Sequence, residues 1–479
     1  MTHSPTLPKE TEIIQRIDRF PKWGLSITSM ITLGLGMLFI QYDIFNINVS
    51  FVQTCLQIVD GCTGNTSDQF IGLPVFVSLL GYGVGALTLG PLSDRFGRHK
   101  LLIVAMLITG LGSLYSALSM DYTNFVISRL ITGIGVGADL AIINVYISEV
   151  APRRKRARYT SVMFIMASLG SALGIWLGLF LTTPMAPWPQ GLPVALASES
   201  FNTGWRWVYA IGAILALISI FLRVALPESP RWLIDNNLQD KARAVIDDME
   251  QRATKQHPLL PVEVVVAPDT SVTSSGRRAM TELFTSPLYL RRLIVLSAAW
   301  TLGYLTIYAF SGALTTVLVR QGYTVGEAGI VSAIGLFGFI AAAVVARLVV
   351  ERLERRNWMI IGAAISVVGA LLVATGDGTP ALVLLGALVL FFGQNIWVPA
   401  QYALTAESFP TRFRTTAYAL ADSIGHAGGG LGVFLLVGLL APLPMTASML
   451  GLVSFLVLGA LVNLMAPKTR NKTLEEISQ

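Results

Sequence analysis

The sequence SEVAPRRKRARY at Ser148–Tyr159 has a counterpart later in the chain, AESFPTRFRTTA at Ala406–Ala417, at an offset of 258 residues. The alignment pairs Glu149 with Glu407, Pro152 with Pro410, Arg154 with Arg412 and Arg156 with Arg414. One residue off this register, the pattern Asp94-Arg95-x-x-Arg98 is echoed by Glu351-Arg352-x-x-Arg355. Charged motifs that recur at one spacing predict a chain built from two related halves.

The segments that surround these motifs are strongly apolar. Of the 479 residues, 53% are hydrophobic and 13% are charged, whereas soluble domains carry about 25% charged residues. The mean hydropathy is +0.64. This composition excludes soluble globular domains and predicts an all-α membrane protein. The net charge of +6 comes from short basic clusters between apolar runs, so we expect no nucleic-acid partner.

Twelve apolar stretches are long enough to cross a bilayer, which takes about 20 residues per helix. They begin near Trp23, Phe70, Leu101, Asn124, Thr160, Trp205, Arg292, Val325, Trp358, Ala381, Thr415 and Met445. A polar stretch from about Pro227 to Tyr289 divides them six and six. Two parallel six-helix halves, related by an axis along the membrane normal, are an architecture of transporters.

These boundaries divide the chain into five parts. We expect an N-terminal tail at 1–22, a six-helix bundle at 23–226, a linker with short helices at 227–290, a second bundle at 291–466 and a C-terminal tail at 467–479. Lys and Arg concentrate in every second connection, and 53–68 and 182–204 on the other side contain none. The positive-inside rule then places both termini and the linker in the cytoplasm. We expect a multi-pass protein of the plasma membrane.

Three of the connecting motifs carry a family resemblance. Gly90–Lys100 (GPLSDRFGRHK) resembles the signature loop of the major facilitator superfamily, between the second and third spans. Pro227–Leu233 (PESPRWL) and the segment from Pro467 to Glu476 resemble its sugar-porter branch. The resemblance implies twelve helices in two pseudo-symmetric halves and alternating access.

The resemblance also implies a cytoplasmic gate. Its residues would be Asp94, Arg95, Arg98, Glu149, Arg154, Glu228, Arg231, Glu407 and Arg412. Their ion pairs would hold the inner ends of the two halves together and would break when the cavity opens inward. The alternative is a set of solvated loops whose charges only orient the protein.

Two charged residues lie well inside predicted spans, where a charge costs about 2.5–3.5 kcal/mol on insertion scales. They are Asp43 in the first span and Arg129 in the fourth. They resemble the pair that couples proton movement to transport in proton-linked sugar porters. Asp43 would pair with Arg129 when ionised and release it when protonated. The alternative is a purely structural ion pair between the two spans.

Further polar and aromatic residues are candidates for substrate binding. The stretch that contains Asp139, and the eleventh span with Asp422 and His426, resemble phosphate:proton symporters, which carry lysine in place of the histidine. The helix-7 glutamine pattern of sugar porters is absent from 298–309. These departures favour a small organic metabolite over phosphate or sugar. The candidates are Asp139, Trp300, Tyr304, Tyr308, Gln394, Asn395, Gln401, Asp422 and His426. Alternatively, the aromatic rings are core packing and His426 is a neutral helix residue.

Two glycine-rich stretches could be mistaken for nucleotide-binding loops. The glycines of 133–137 and 428–430 lie within spans, where small residues allow close helix approach, and follow no strand as a nucleotide loop would.

We see no metal site, cofactor site or catalytic constellation, so we expect no enzyme. The partners would be a small molecule, protons and lipid, and we expect a monomer. A proton-coupled symporter is favoured. An exporter or uniporter of the same fold, and a receptor without flux, remain alternatives.

The first external connection carries two further features. Cys55 and Cys62 flank it, either as a disulfide or as two free thiols, and Asn65 begins a glycosylation sequon.

Overall fold

The computed structural model describes residues 16–17, 20, 23–152, 156–255, 276–376, 379–410 and 414–470. Twelve helices in this part of the chain are long and apolar enough to span a membrane, which confirms the number predicted. In chain order the spans are Ile27–Phe45 continued by Ile47–Ile58, then Asp68–Phe96, Arg98–Leu118, Tyr122–Val150, Arg156–Thr182, Gly204–Arg223, Pro287–Arg320, Val325–Val349, Asn357–Thr375, Pro380–Ile396 continued by Val398–Glu407, Arg414–Leu440 and Met445–Asn463. Three shorter helices, Pro230–Asp235, Gln239–Thr254 and Gly276–Thr285, connect the sixth and seventh spans.

The outer surface of the bundle is apolar. On the third span, Leu107, Leu111, Leu114 and Leu118 are all exposed and recur every three or four residues. This spacing places them on one helix face. A contiguous exposed apolar face would be unfavourable in water, so this face is the one that lipid covers.

Glycines bring the second span against the fourth. A Cβ at Gly85 would lie 1.9 Å from the Ile134 carbonyl oxygen, and one at Gly133 would lie 2.0 Å from that of Ser78. Such distances are far below van der Waals contact, so the two backbones meet only because no side chain intervenes. This close approach is the role predicted for the glycines of 133–137.

Two spans are interrupted near their middle. The first is broken at Asn46 and the tenth at Trp397. In the tenth span the break precedes Pro399, which has no N–H for the helical ladder. Broken helices in transporters expose backbone groups only where these line a cavity or find other partners.

The two ends of the bundle differ in how the halves meet. We call the end with Asp94–Lys100 and Arg347–Arg356 the basic end, and the other the opposite end. Toward the opposite end, Asn48 donates from its side-chain amide to the carbonyl oxygens of Phe310 at 3.0 Å and Ser311 at 2.7 Å. The backbones of Gly72 and Phe434 also touch there. The central cavity is therefore closed at the opposite end.

Two more contacts fix the opposite end. Arg320, at the end of the seventh span, donates to the Asn65 carbonyl oxygen at 2.8 Å. Cys55 and Cys62 form a disulfide, the first of the two possibilities left open by the sequence. The disulfide ties the end of the first span to the loop that carries Asn65.

Candidate functional site

Asp43 and Arg129 lie together in the N-terminal half, and each is 1% exposed. The Arg129 Nη1 is 3.2 Å from the Asp43 Oδ2, and the Ser113 hydroxyl donates to the other carboxylate oxygen. Ser113 comes from the third span, so three spans converge on one carboxylate. A buried charge is costly unless it is paired and hydrogen-bonded, and Arg129 and Ser113 supply both contacts to Asp43.

Arg129 also binds the backbone where the first span is interrupted. Its Nη2 donates to the Asp43 carbonyl oxygen at 2.8 Å, one turn before the helix resumes at Ile47. The guanidinium thus contacts both the charge and the backbone of Asp43. Protonation of the carboxyl would remove the charge attraction and leave the bond to the carbonyl.

A cavity between the two halves lies next to this pair. Its aromatic walls are Phe45, Tyr82, Phe164, Tyr304, Tyr308, Phe339, Tyr402 and His426, and its polar side chains are Gln41, Ser168 and Asn395. Aliphatic residues complete the lining. An apolar, aromatic cavity with a few polar groups suits a small organic solute. Tyr304, Tyr308, Asn395 and His426 are among the predicted substrate residues, and the structure brings them together here.

Asp422 lies behind the cavity wall with both carboxylate oxygens bound. Tyr82 donates to Oδ2 at 2.9 Å across the boundary between the halves, and Tyr304 donates to Oδ1 at 3.1 Å. The Nδ1 of His426 lies 3.4 Å from Oδ1. Tyr304 further shares a hydrogen bond of 2.9 Å with Tyr402. Asp422 therefore organises the aromatic side chains of three spans besides its own.

The other predicted substrate residues of the C-terminal half lie outside this wall. Trp300 is fully buried, stacks on Tyr304 and donates to Thr405 at 3.0 Å. Gln401 is engaged in a reciprocal amide pair with Asn463. Gln394 is also fully buried and does not belong to the cavity lining. Trp300 thus supports the wall residue Tyr304 from behind.

The structure places Asp139 away from the cavity, in contrast to the expectation from the sequence. Asp139 and Arg223 are both fully buried and form a two-point ion pair, with 2.8 Å between Arg223 Nη2 and Asp139 Oδ2. Arg223 also donates to the Leu102 carbonyl oxygen at 2.7 Å. Asp139 thus faces the sixth span, and its carboxylate is already satisfied by a cation. We therefore do not assign it to substrate binding.

At the basic end, the N-terminal half has its own ion-pair cluster. Arg98 lies 2.6 Å from Asp94 and 2.9 Å from Glu149. The Glu228 carboxylate accepts from the backbone N–H of Arg98 at 2.9 Å, and Arg231 donates to the Glu149 carbonyl oxygen. Arg95 lies over the ring of its neighbour Phe96 instead.

The C-terminal half repeats this arrangement. Arg355 pairs with Glu407 at 3.1 Å, as Arg98 pairs with Glu149. Arg154 and Arg412 lie outside the described residues. All these described pairs lie within one half, whereas the sequence predicted pairs between the halves. With the halves in contact at the opposite end, such pairs at the basic end are the ones expected to be broken.

Several residues of these sites were missed in the sequence. Tyr82 and Tyr402 are ordinary aromatic residues of apolar spans, and Arg223, at the end of a span, looks like an interface anchor. Arg355 alone had a signal, because it stands in the repeated acid-base pattern. Ser113 had none.

Two pseudo-symmetric bundles, a cavity between them that is closed at one end and a buried acid-base pair beside it define a membrane transporter with alternating access. Residues 28–479 match the family described as "Sugar (and other) transporter". The chain belongs to this family. The predicted superfamily and fold are thereby confirmed, and so is the prediction that the chain is not an enzyme.

Known relatives agree with this assignment. The chain is 29% identical to a D-xylose transporter of Levilactobacillus brevis over 367 residues, 74% of each chain. It is 28% identical to the 4-hydroxybenzoate transporter PcaK of Pseudomonas putida over 371 residues, 76% of each chain. The partially occluded inward-open xylose transporter XylE from E. coli superposes with a TM-score of 0.71 at 21% identity, covering 93% of this chain and 99% of that one.

Proposed function

We propose that the chain is a proton-coupled symporter that imports a small organic metabolite, with Asp43 and Arg129 as the coupling pair. The observation that carries this proposal is the buried contact between the two residues, which links the first and fourth spans beside the cavity. A relative of 24% identity, from Bacillus subtilis, is described as an arabinose-proton symporter. Other relatives carry xylose, glucose or 4-hydroxybenzoate in their names.

The coupling follows from the charge balance of the pair. With Asp43 ionised, its carboxylate neutralises Arg129 and holds the fourth span to the first. With Asp43 protonated, Arg129 keeps its bond to the Asp43 carbonyl oxygen, but its positive charge loses its counter-charge beside the narrow cleft near Tyr308. An unpaired buried charge is costly, so the two protonation states favour different arrangements of the halves.

The orientation belongs to the same proposal. The positive-inside rule places the basic end in the cytoplasm, so a conformer closed at the opposite end faces inward. We propose that the charged side chains of the basic end form the inner gate and exchange partners across the halves when the cavity opens outward. These residues are Asp94, Arg98, Glu149, Glu228, Arg231, Arg355 and Glu407, together with Arg95, Arg154 and Arg412. We place the protein in the plasma membrane and expect it to act as a monomer.

We assign solute contact to the residues that reach the cavity. These are Tyr304, Tyr308, Asn395 and His426 from the predicted set, joined by Gln41 and Tyr82. Asp422 acts through the tyrosines that it binds. Trp300 and Gln401 position the wall.

The experiment is uptake into proteoliposomes across an inward proton gradient. The solutes are a labelled panel of aromatic acids, aliphatic acids, organic cations, sugars and phosphate, with protein-free liposomes as the baseline for passive entry. Asp43→Asn tests the coupling, and Asp248→Asn, in an exposed pair with Arg252, is the matched control. We expect gradient-driven accumulation of one class in the parent and the control, and exchange without accumulation in Asp43→Asn.

Three outcomes would contradict the proposal. Accumulation that ignores both the gradient and Asp43 would indicate a uniporter. Efflux driven by the inward gradient would indicate an exporter. Binding without flux of any class would indicate a receptor.

A further inference from the structure

The pair of Asp422 and His426 lies where the halves meet, and the coupling at Asp43 makes no use of it. We propose that His426, supported by Asp422, is a second proton-binding residue, and that its protonated ring holds the carboxylate of a planar aromatic acid. This inference rests on the proposed transport function and names the class of solute.

Both side-chain oxygens of Asp422 act as hydrogen-bond acceptors. Tyr82 and Tyr304 each donate to a different oxygen, and an ionised carboxylate is acceptor-only at both. The Nδ1 of His426 then lies between two acceptors, the Asp422 carbonyl oxygen at 2.9 Å and Oδ1 at 3.4 Å. Nδ1 is therefore a donor. The second ring nitrogen, Nε2, accepts when the ring is neutral and donates when it is charged.

Two tyrosine rings pack against the ring of His426. Tyr82 stacks on His426 with ring centres 4.0 Å apart and 14° between planes, and Tyr304 lies 4.0 Å away on a tilt. Aromatic faces attract a positive charge. The titratable residues around the pair are Tyr82 of the second span, Tyr304 and Tyr308 of the seventh, Tyr402 of the tenth and Tyr418 of the eleventh. The twelfth span has none between Met445 and Asn463.

The neighbouring tyrosines stay neutral in the physiological range. Histidine is the side chain that ordinarily changes charge between about pH 5 and 8. The charge of this cluster in that range is therefore set by Asp422 and His426. Arg129, which lines the neighbouring cleft with Tyr308, is bound to Asp43.

The cavity lining then selects the solute. No Lys or Arg is among its described residues, so an anionic group in the cavity must take its charge partner from His426. The walls present Phe164 from one half and Tyr308 and Tyr402 from the other, which suits a flat ring. A sugar needs many polar partners. Among the amide and serine side chains of the lining, Ser168 donates to the Phe164 carbonyl oxygen and the Asn395 amide nitrogen donates to that of Phe339, so the amide oxygens of Gln41 and Asn395 are the acceptors that stay available to a solute.

Equilibrium binding to the purified protein tests this inference without the complication of passive entry. The probes are labelled benzoate, its uncharged isostere benzamide and D-xylose, over about pH 5.5 to 8. We expect the Kd of benzoate to rise up to roughly tenfold per pH unit above the titration of the ring. We expect benzamide to bind more weakly and without this pH dependence.

Two substitutions of His426 separate charge from shape. His426→Gln should weaken benzoate binding at least roughly tenfold at low pH, remove the pH dependence and leave benzamide within about twofold. His426→Lys keeps a cation and should retain benzoate binding with little pH dependence over this range. Tyr115→Phe, which removes a hydrogen bond to Asn124 within the N-terminal half, is the control and should change neither probe.

The contrary results are distinct for the two proposals. Persistence of the pH dependence in His426→Gln, failure of benzoate to bind, or preferential binding of D-xylose would overturn the inference and leave proton symport intact. Normal pH-dependent benzoate binding in a protein that shows no gradient-driven uptake would overturn the proposed function alone.

Discussion

Asp139→Asn removes the negative member of the buried pair with Arg223 and leaves a guanidinium without a counter-charge. Both side chains are 0% exposed, so water cannot replace the lost partner. Breaking such a pair from one side costs about 3–5 kcal/mol. One kcal/mol lowers Tm by about 2–4 °C in a unit of 150–250 residues, which is the size of the N-terminal bundle. We therefore expect a fall in Tm of roughly 6–20 °C.

The assay is thermal unfolding of the purified protein in detergent, followed by tryptophan fluorescence. The informative control is the double variant Asp139→Leu with Arg223→Met, which replaces both charges by apolar groups of similar size. Such replacements are often neutral or stabilising, so the double variant should recover most of the lost stability. It should also retain solute binding, because neither residue reaches the cavity.

The opposite pattern would refute this argument. If Asp139→Asn is as stable as the parent and changes the affinity for the solute, Asp139 acts in substrate binding, as its resemblance to phosphate symporters first suggested. If the double variant is no more stable than the single one, packing around the pair, and not its charge balance, determines the stability.

Three further expectations use the same unfolding assay. Gly36→Ala would place a methyl group 2.0 Å from the Arg223 Nη2 and should cost about 1–3 kcal/mol by overpacking; no loss would mean that the guanidinium moves freely. Cys62→Ser opens the disulfide and should cost about 2–3 kcal/mol for a loop of this length, with the parent falling to the same Tm under reduction. Glu407→Gln breaks the pair with Arg355, in which the Glu407 side chain is 26% exposed and the Arg355 side chain 12%. This substitution should cost only about 1 kcal/mol. A loss of stability as large as that of Asp139→Asn would show that this gate pair is shielded from water.

The fold was predictable because the bilayer imposes a simple rule on sequence. Every span must bury its backbone hydrogen bonds in a helix of about 20 apolar residues, and all twelve were visible as such runs. The repeat of Glu149 at Glu407 divided them into halves. The interruption of the first span was not visible, because it depends on Arg129 taking the Asp43 carbonyl, a contact between distant segments.

The sequence singled out charged residues within spans more readily than it identified their partners. Asp43 stood out as a charge within an apolar run, and Arg129 was the candidate partner in the family pattern. Asp139 stood out equally. Its partner Arg223, however, ends the sixth span, where a basic residue ordinarily reaches the membrane interface. The gate pairs depend in addition on the conformer, because a protein that alternates between two arrangements has two sets of partners and one sequence.

In the cavity wall, the position of a residue around its helix decides whether it reaches the cavity more than its residue type does. Gln401 was selected for its amide, yet it follows Asn395 by six residues, so at about 100° per residue the two point to different faces. Tyr402 follows by seven, nearly two full turns, and shares the face of Asn395 in the cavity. The interruption at Trp397 does not destroy this phase, since the backbone there stays close to helical. Gln401 instead meets Asn463 behind the wall. Tyr304 and Tyr308, four residues apart, share one face of the seventh span, and both line the cavity.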